Sequence, residues 1–155
     1  MECIENIKLS GEIQFLGKHK DGTIFCDRTI KNTITTVGKA LFAALMVVDV
    51  GGTGCDYIAL GVGTPSTTAL GSESTTDGGA RRGGANLTGT VVTTTLTEDT
   101  AQFVTTFTFT GSLALTEAGL FNAASTGTMV ASQTFSAVNV IDTDTLQITW
   151  KIKVA

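Results

Sequence analysis

A single histidine limits the chemistry open to this chain. His19 lies between Lys18 and Lys20, just before Asp21-Gly22. A Ser-His-Asp relay would have to use it, and a general base needs a positioned, partly buried site. The flanking lysines and the Asp-Gly pair instead predict a solvated turn. Cys3, Cys26 and Cys55 are odd in number and contain no CxxC pair. They predict reduced thiols, with neither a disulfide framework nor zinc spacing. The paired acids Glu98-Asp99 and Asp142/Asp144 sit in predicted turns, where Asp bonds its own backbone. No EF-hand-like loop surrounds Asp142 and Asp144. Gly61-Val62-Gly63-Thr64-Pro65-Ser66 begins like a dinucleotide fingerprint, but Ser66 replaces the third glycine and Pro65 stands where a helix is required. The residues therefore predict a chain that is not an enzyme, with no catalytic, cofactor-binding or metal-ligating residues.

Composition sets the frame for these groups. The chain has 155 residues, 42% hydrophobic and 15% charged, with 18 glycines and one proline. That predicts a single domain over 1–155 with a real core. Its apolar runs are too short to span a bilayer. The net charge of -4 argues against sequence-independent nucleic-acid binding, which needs cations to neutralise phosphates. The N-terminus has no basic region followed by an apolar one, so no signal peptide is expected and folding in a reducing cytoplasm is. Between Lys39 and Lys151 the only cations are Arg81 and Arg82.

The backbone around these residues reads mostly as strands. Ile7, Leu9, Gly11, Ile13 and Phe15 alternate with polar residues and predict a half-buried strand. Asp21-Gly22 predicts a hairpin turn into a second strand over about 23–30. Val37, Leu41, Ala44, Leu45 and Val48 recur at helical spacing after Thr35 or Thr36, either of which can cap. One helix is expected over about 37–48, ended by Gly51-Gly52. A short strand follows over 57–63. Residues 64–89 are Gly, Ser, Thr and Ala with little apolar content, and predict one long structureless loop, either functional or partner-ordered or a mobile surface loop. Beyond it, strands are expected over 90–97, 102–110, 117–122, 128–135 and 145–154. Phe103, Phe107 and Phe109 should point inward, as should Leu146, Ile148, Trp150, Ile152 and Val154. The fold class is mainly β, an antiparallel sandwich or barrel-like domain with one accessory helix. Phe121 and Trp150 are assigned to its core.

Several segments also carry a resemblance. They are KNTITTVGKAL at 31–41, YIALGVGT at 57–64 with TALGSE at 68–73, TEAGLFNA at 116–123, SAVNV at 136–140 and DTLQITWKI at 144–152. In this order the chain resembles small virion structural proteins of tailed bacteriophages, among which capsid decoration (cement) proteins look like the best fit. Segments of the TEAGLF type also occur in collar and tail-fibre proteins. The resemblance implies a non-enzymatic protein, assembled in the bacterial host cytoplasm and resident on the capsid exterior. Its implied partners are the major capsid protein and copies of itself, as a homo-oligomer and by preference a trimer, with no nucleic acid, membrane or cofactor. The alternative it implies is a tail-fibre, collar or tail-tip adaptor, which could contact the host surface. The expected contact residues are Arg81 and Arg82 in the long loop, and Glu2 and Ile4 in an N-terminal arm over 1–6.

Overall fold

A computed structural model describes residues 7–46 and 53–155. The first alternating segment forms β1 (Leu9–Lys18), and the chain turns back into β2 (Ile24–Lys31). The Asp21 carboxylate accepts the Thr23 N–H at 2.9 Å and pins that turn. The bond holds its pKa below the ordinary carboxylate value. Gly22 takes φ +87°, where an L side chain is strained. Then follow β3 (Thr33–Ile34), the helix α1 (Thr36–Leu45), β4 (Tyr57–Gly61) and β5 (Arg82–Gly83). A 3-10 turn (Gly84–Asn86) leads into β6 (Thr88–Val92) and β7 (Thr100–Thr108). The last three strands are β8 (Leu113–Phe121), β9 (Met129–Val140) and β10 (Thr145–Val154).

The strands make two antiparallel five-stranded sheets, ordered β2-β1-β10-β7-β6 and β3-β9-β8-β4-β5. The sheets do not close into a barrel, so the fold is sandwich-like. β10 is central: it pairs with β1 from Thr145↔Lys18 to Val154↔Leu9, and with β7 on its other side. Its even-numbered residues Leu146, Ile148, Trp150 and Ile152 are buried against Ile13, Phe15, Phe107, Leu115 and Leu120. Burying each of these large side chains stabilises the fold by roughly 1.5–3 kcal/mol. Val154, at the strand end, is 45% exposed and falls outside that core. Phe121 joins a smaller cluster with Ala59 and Met129.

Thr35 caps the helix: its Oγ1 accepts from Gly38 N at 2.9 Å and donates to the Met129 carbonyl at 2.5 Å. The same hydroxyl thus ties helix to sheet. Gly38 lies against the Val130 backbone, where any Cβ would collide. The helix is Thr36–Leu45 with Met46 as its C-cap, so it ends short of the expected 37–48 span; residues 47–48 of that span, and its glycine stop, lie outside the described residues. So does the arm over 1–6, with Glu2 and Ile4.

Three expectations need correction. Residues 64–89 are not one structureless loop: they hold a bridge at Glu73, strand β5, the 3-10 turn and the start of β6. The strand expected over 90–97 stops at Val92, because Asp99 draws the next residues into a turn. Its carboxylate accepts the N–H groups of Thr94, Thr95 and Leu96 at 2.9, 3.0 and 2.9 Å. And β8 and β9 are longer than 117–122 and 128–135, since their pairing continues to Leu113↔Val140.

Candidate functional site

The most concentrated polar structure is the segment 61–83 and what holds it. Glu117 stands on β8 opposite Gly61 and Thr134 and is fully buried. Its Oε1 accepts from Gly63 N at 3.1 Å and Ser72 N at 2.7 Å, and its Oε2 from Gly71 N at 2.8 Å. A buried carboxylate is tolerated only when so satisfied. Beside it the β8–β9 register shifts between Leu115 and Glu117. At that irregularity the Thr116 hydroxyl donates to the Gly63 carbonyl at 2.8 Å. Backbone bonds from Val62 N to Ser72 O and from Ser74 N to Leu60 O, at 3.0 and 2.8 Å, close the loop on β4.

Two glycines of this segment are closed in by the carboxylate and the Ser72 backbone together. A Cβ on Gly61 would lie 2.5 Å from Glu117 Oε1, and one on Gly63 would lie 2.9 Å from it. Gly61-Val62-Gly63 is therefore an anion cradle, but the anion is the chain's own Glu117 rather than a dinucleotide phosphate.

Arg81 closes the other side. Its Nε and Nη2 donate to the two oxygens of Glu73 at 2.9 and 2.7 Å, a two-pronged pair. Its Nη1 donates to the carbonyls of Ala123 and Thr126 at 2.7 and 3.1 Å. Its guanidinium carbon lies 3.8 Å from the centre of the Phe121 ring. The side chain is only 8% exposed. Arg81, expected as a partner contact, here binds the loop to the β8–β9 turn within the chain. Arg82 differs. It is half-buried on β5 with its guanidinium carbon 5.7 Å from the centre of the Phe107 ring, and it makes no ion pair among the described residues. Of the expected pair, Arg82 is the one whose charge is still available.

His19 is not a free turn residue either. Its Nδ1 lies 2.8 Å from Asp144 Oδ1; the histidine side chain is 40% exposed and the aspartate 2%. Asp144 Oδ2 accepts from Ile141 N at 3.0 Å, so its other oxygen serves its own turn as expected. The contact fastens the β1–β2 turn to the β9–β10 turn. His19 and Cys26 line a groove of about 520 Å³, together with Phe25, Arg28 and Asn139. Burial pushes the Cys26 thiol up, with Arg28 opposing and Asp27 adding, which works against a thiolate nucleophile. Burial likewise pushes Cys55 up, to about 12, with the Asp56 charge adding to it.

A second groove, of about 340 Å³, crosses the outer face of the β1–β10 sheet between Glu12, Lys31, Thr94, Lys151 and Lys153. Lys151 pairs with Glu12 at 3.3 Å and Lys153 with Asp99 at 3.8 Å. For Asp99, burial pushes the carboxyl up, but the N–H donors of Leu96, Thr94 and Thr95 together outweigh it and hold the group well below its usual range.

Among the described residues no cluster of three His, Cys, Asp or Glu could hold a metal ion, and no helix is long and apolar enough to cross a membrane. No protein-family model, curated protein or solved structure matches the chain.

Sequence reasoning passed over Glu117 and Glu73. The signal for Glu117 was present: one acid within the apolar run Ala118-Gly119-Leu120-Phe121, with Leu113 and Leu115 before it. Glycines at 61, 63 and 71 were the other half of that signal. Their pairing is a long-range fact, separated by 46 and more residues in the chain.

Proposed function

We propose that this chain is a non-enzymatic structural protein of a tailed-phage virion, a capsid decoration protein that binds the assembled head and stabilises it. The observation that carries this reading is the use made of the buried charges. Glu117, Arg81, Asp99 and Asp144 each bond backbone groups of turns and loops. Such bonding favours a sandwich with rigid, preformed loop surfaces, which suits a protein whose work is to clamp neighbours. A protein that prefers the assembled lattice to free subunits stabilises that lattice by mass action, and repetition over many sites strengthens a modest interface. Arg82, with its unpaired charge, is the contact residue this reading retains from the loop.

A tail-fibre, collar or tail-tip adaptor is the second reading. It is favoured by the TEAGLF segment, which resembles those proteins and which carries the Glu117 node here. The two readings separate in a binding experiment. Purified chain is mixed with isolated heads and with isolated tails and sedimented. Saturable binding to heads at many copies, with raised resistance of the heads to heat, is the expected result. Binding to tails at a few copies would favour the adaptor, and binding to neither would overturn both.

A further inference from the structure

A sandwich with two open sheets has four edges, and three of them are protected. Edge strands with unpaired N–H and C=O groups recruit other strands unless they are short, charged, bulged or covered. β3 and β5 are each two residues long. β2 carries Asp27, Arg28 and Lys31, and its register with β1 shifts at Gly17/Lys18. Arg28 also reaches over that edge to donate to the Ser136 carbonyl at 2.6 Å.

β6 has none of these devices. It is five residues long, its pairing with β7 is regular, and four of its residues are exposed. From Leu87 to Thr97 there is neither a charge nor a proline. Beyond β7, its backbone has no partner among the described residues. The facing sheet ends at β5, which lies against β7, so β6 overhangs. Val91 shares the core-facing side with Ala101 and Ile152, yet it is 60% exposed. Leu96, in the turn after β6, is 63% exposed.

We propose that β6 pairs antiparallel with β6 of a second copy of this chain, about a two-fold axis at Thr90, to make a continuous sheet. The occupant follows from the charge and the pattern. In a chain of net charge -4, 87–97 carries no charge, so two copies pair there with no like charges opposed, and the strand is complementary to itself about the axis. Antiparallel pairing about Thr90 sets Thr88 against Val92 and Val91 against Gly89. The overhanging valine then packs over the glycine of the second copy, and β-branched residues face one another as a pleated pair favours. The symmetry is two-fold, unlike the trimer that the resemblance implies. The inference goes beyond the virion reading and stands on the edge alone. A single strand edge is at the small end of specific interfaces, so the pair forms at micromolar rather than nanomolar concentration.

The test is sedimentation equilibrium of the purified chain over a wide concentration range. The expected result is a monomer–dimer equilibrium that Thr90→Lys weakens at least tenfold, because two ammonium groups then meet across the axis. Thr90 is exposed, so the variant should keep the wild-type melting temperature at low concentration, which separates lost pairing from lost folding. Thr90→Cys supplies the register: mild oxidation should yield a cross-linked dimer that the wild-type chain does not form. A monomer at all concentrations, a dimer indifferent to Thr90→Lys, or no Thr90→Cys cross-link would each overturn the proposal.

Discussion

Replacing Glu117 by glutamine preserves the side chain's shape and removes its charge. The carboxylate now accepts three backbone N–H groups, two on Oε1 and one on Oε2. A glutamine amide has one acceptor oxygen. Placed at the Oε1 position, that oxygen still serves Gly63 and Ser72, but the amide NH2 then faces the Gly71 N–H, donor against donor. One charge-assisted bond, worth about 1.5–3 kcal/mol, is lost, and two fall to neutral strength of about 0.5–1.5 kcal/mol each. The neutral amide is cheaper to desolvate, which offsets part of this. The net cost is about 3 kcal/mol. In a domain of this size that corresponds to a fall in Tm of about 6–12 °C. Thermal unfolding by circular dichroism reads the total. Hydrogen exchange reads the place: the amides of Gly63, Gly71 and Ser72 should lose protection before those of β1 and β10. Glu98→Gln, on an exposed turn residue, is the control and should leave Tm unchanged. A Glu117→Gln protein within about 1 kcal/mol of wild type, with those three amides still protected, would refute the reasoning.

Three further outcomes follow from the same geometry. Arg81→Lys should cost about 2 kcal/mol in urea unfolding, because an ammonium cannot span Glu73 and the two turn carbonyls at once, and proteolysis within 64–80 should speed up. Asp99 has a lowered pKa in the folded state, so its contribution is complete above the ordinary value of 3.8 and is lost as pH falls below it; Tm against pH should therefore drop more steeply through that acid range in the wild type than in Asp99→Asn. Cys55, with its thiol pushed up to about 12, should resist alkylation at neutral pH in the native state and react quickly once unfolded, as followed by intact mass.

What the sequence disclosed and what it hid divide along the range of the interactions. The strands with clean alternation, β1 and β10, were legible because one buried face imposes a period of two, and the helix cap was legible to within Thr35 or Thr36 from the residues that follow, the structure choosing Thr35. The Asp99 turn was half legible: the acid pointed to a turn, but three N–H groups converging on it ended β6 earlier than its β-branched residues suggested. The segment 61–83 was not legible as a folded element. Its small polar residues have no period, and its order comes from Glu117 and Phe121, which are distant in the chain. The bonds of Arg81 within the chain were hidden for the same reason, since its acceptors at 123 and 126 lie on another hairpin. His19 looked solvated from its lysine neighbours, and only the closure of two turns brought Asp144 to it.

The most direct measurement for the functional reading is the copy number and position of this protein in purified phage particles, by cryo-electron microscopy. The account predicts many copies on the outside of the head, arrayed on the capsid lattice. A few copies at the tail, or none in the particle, would contradict it.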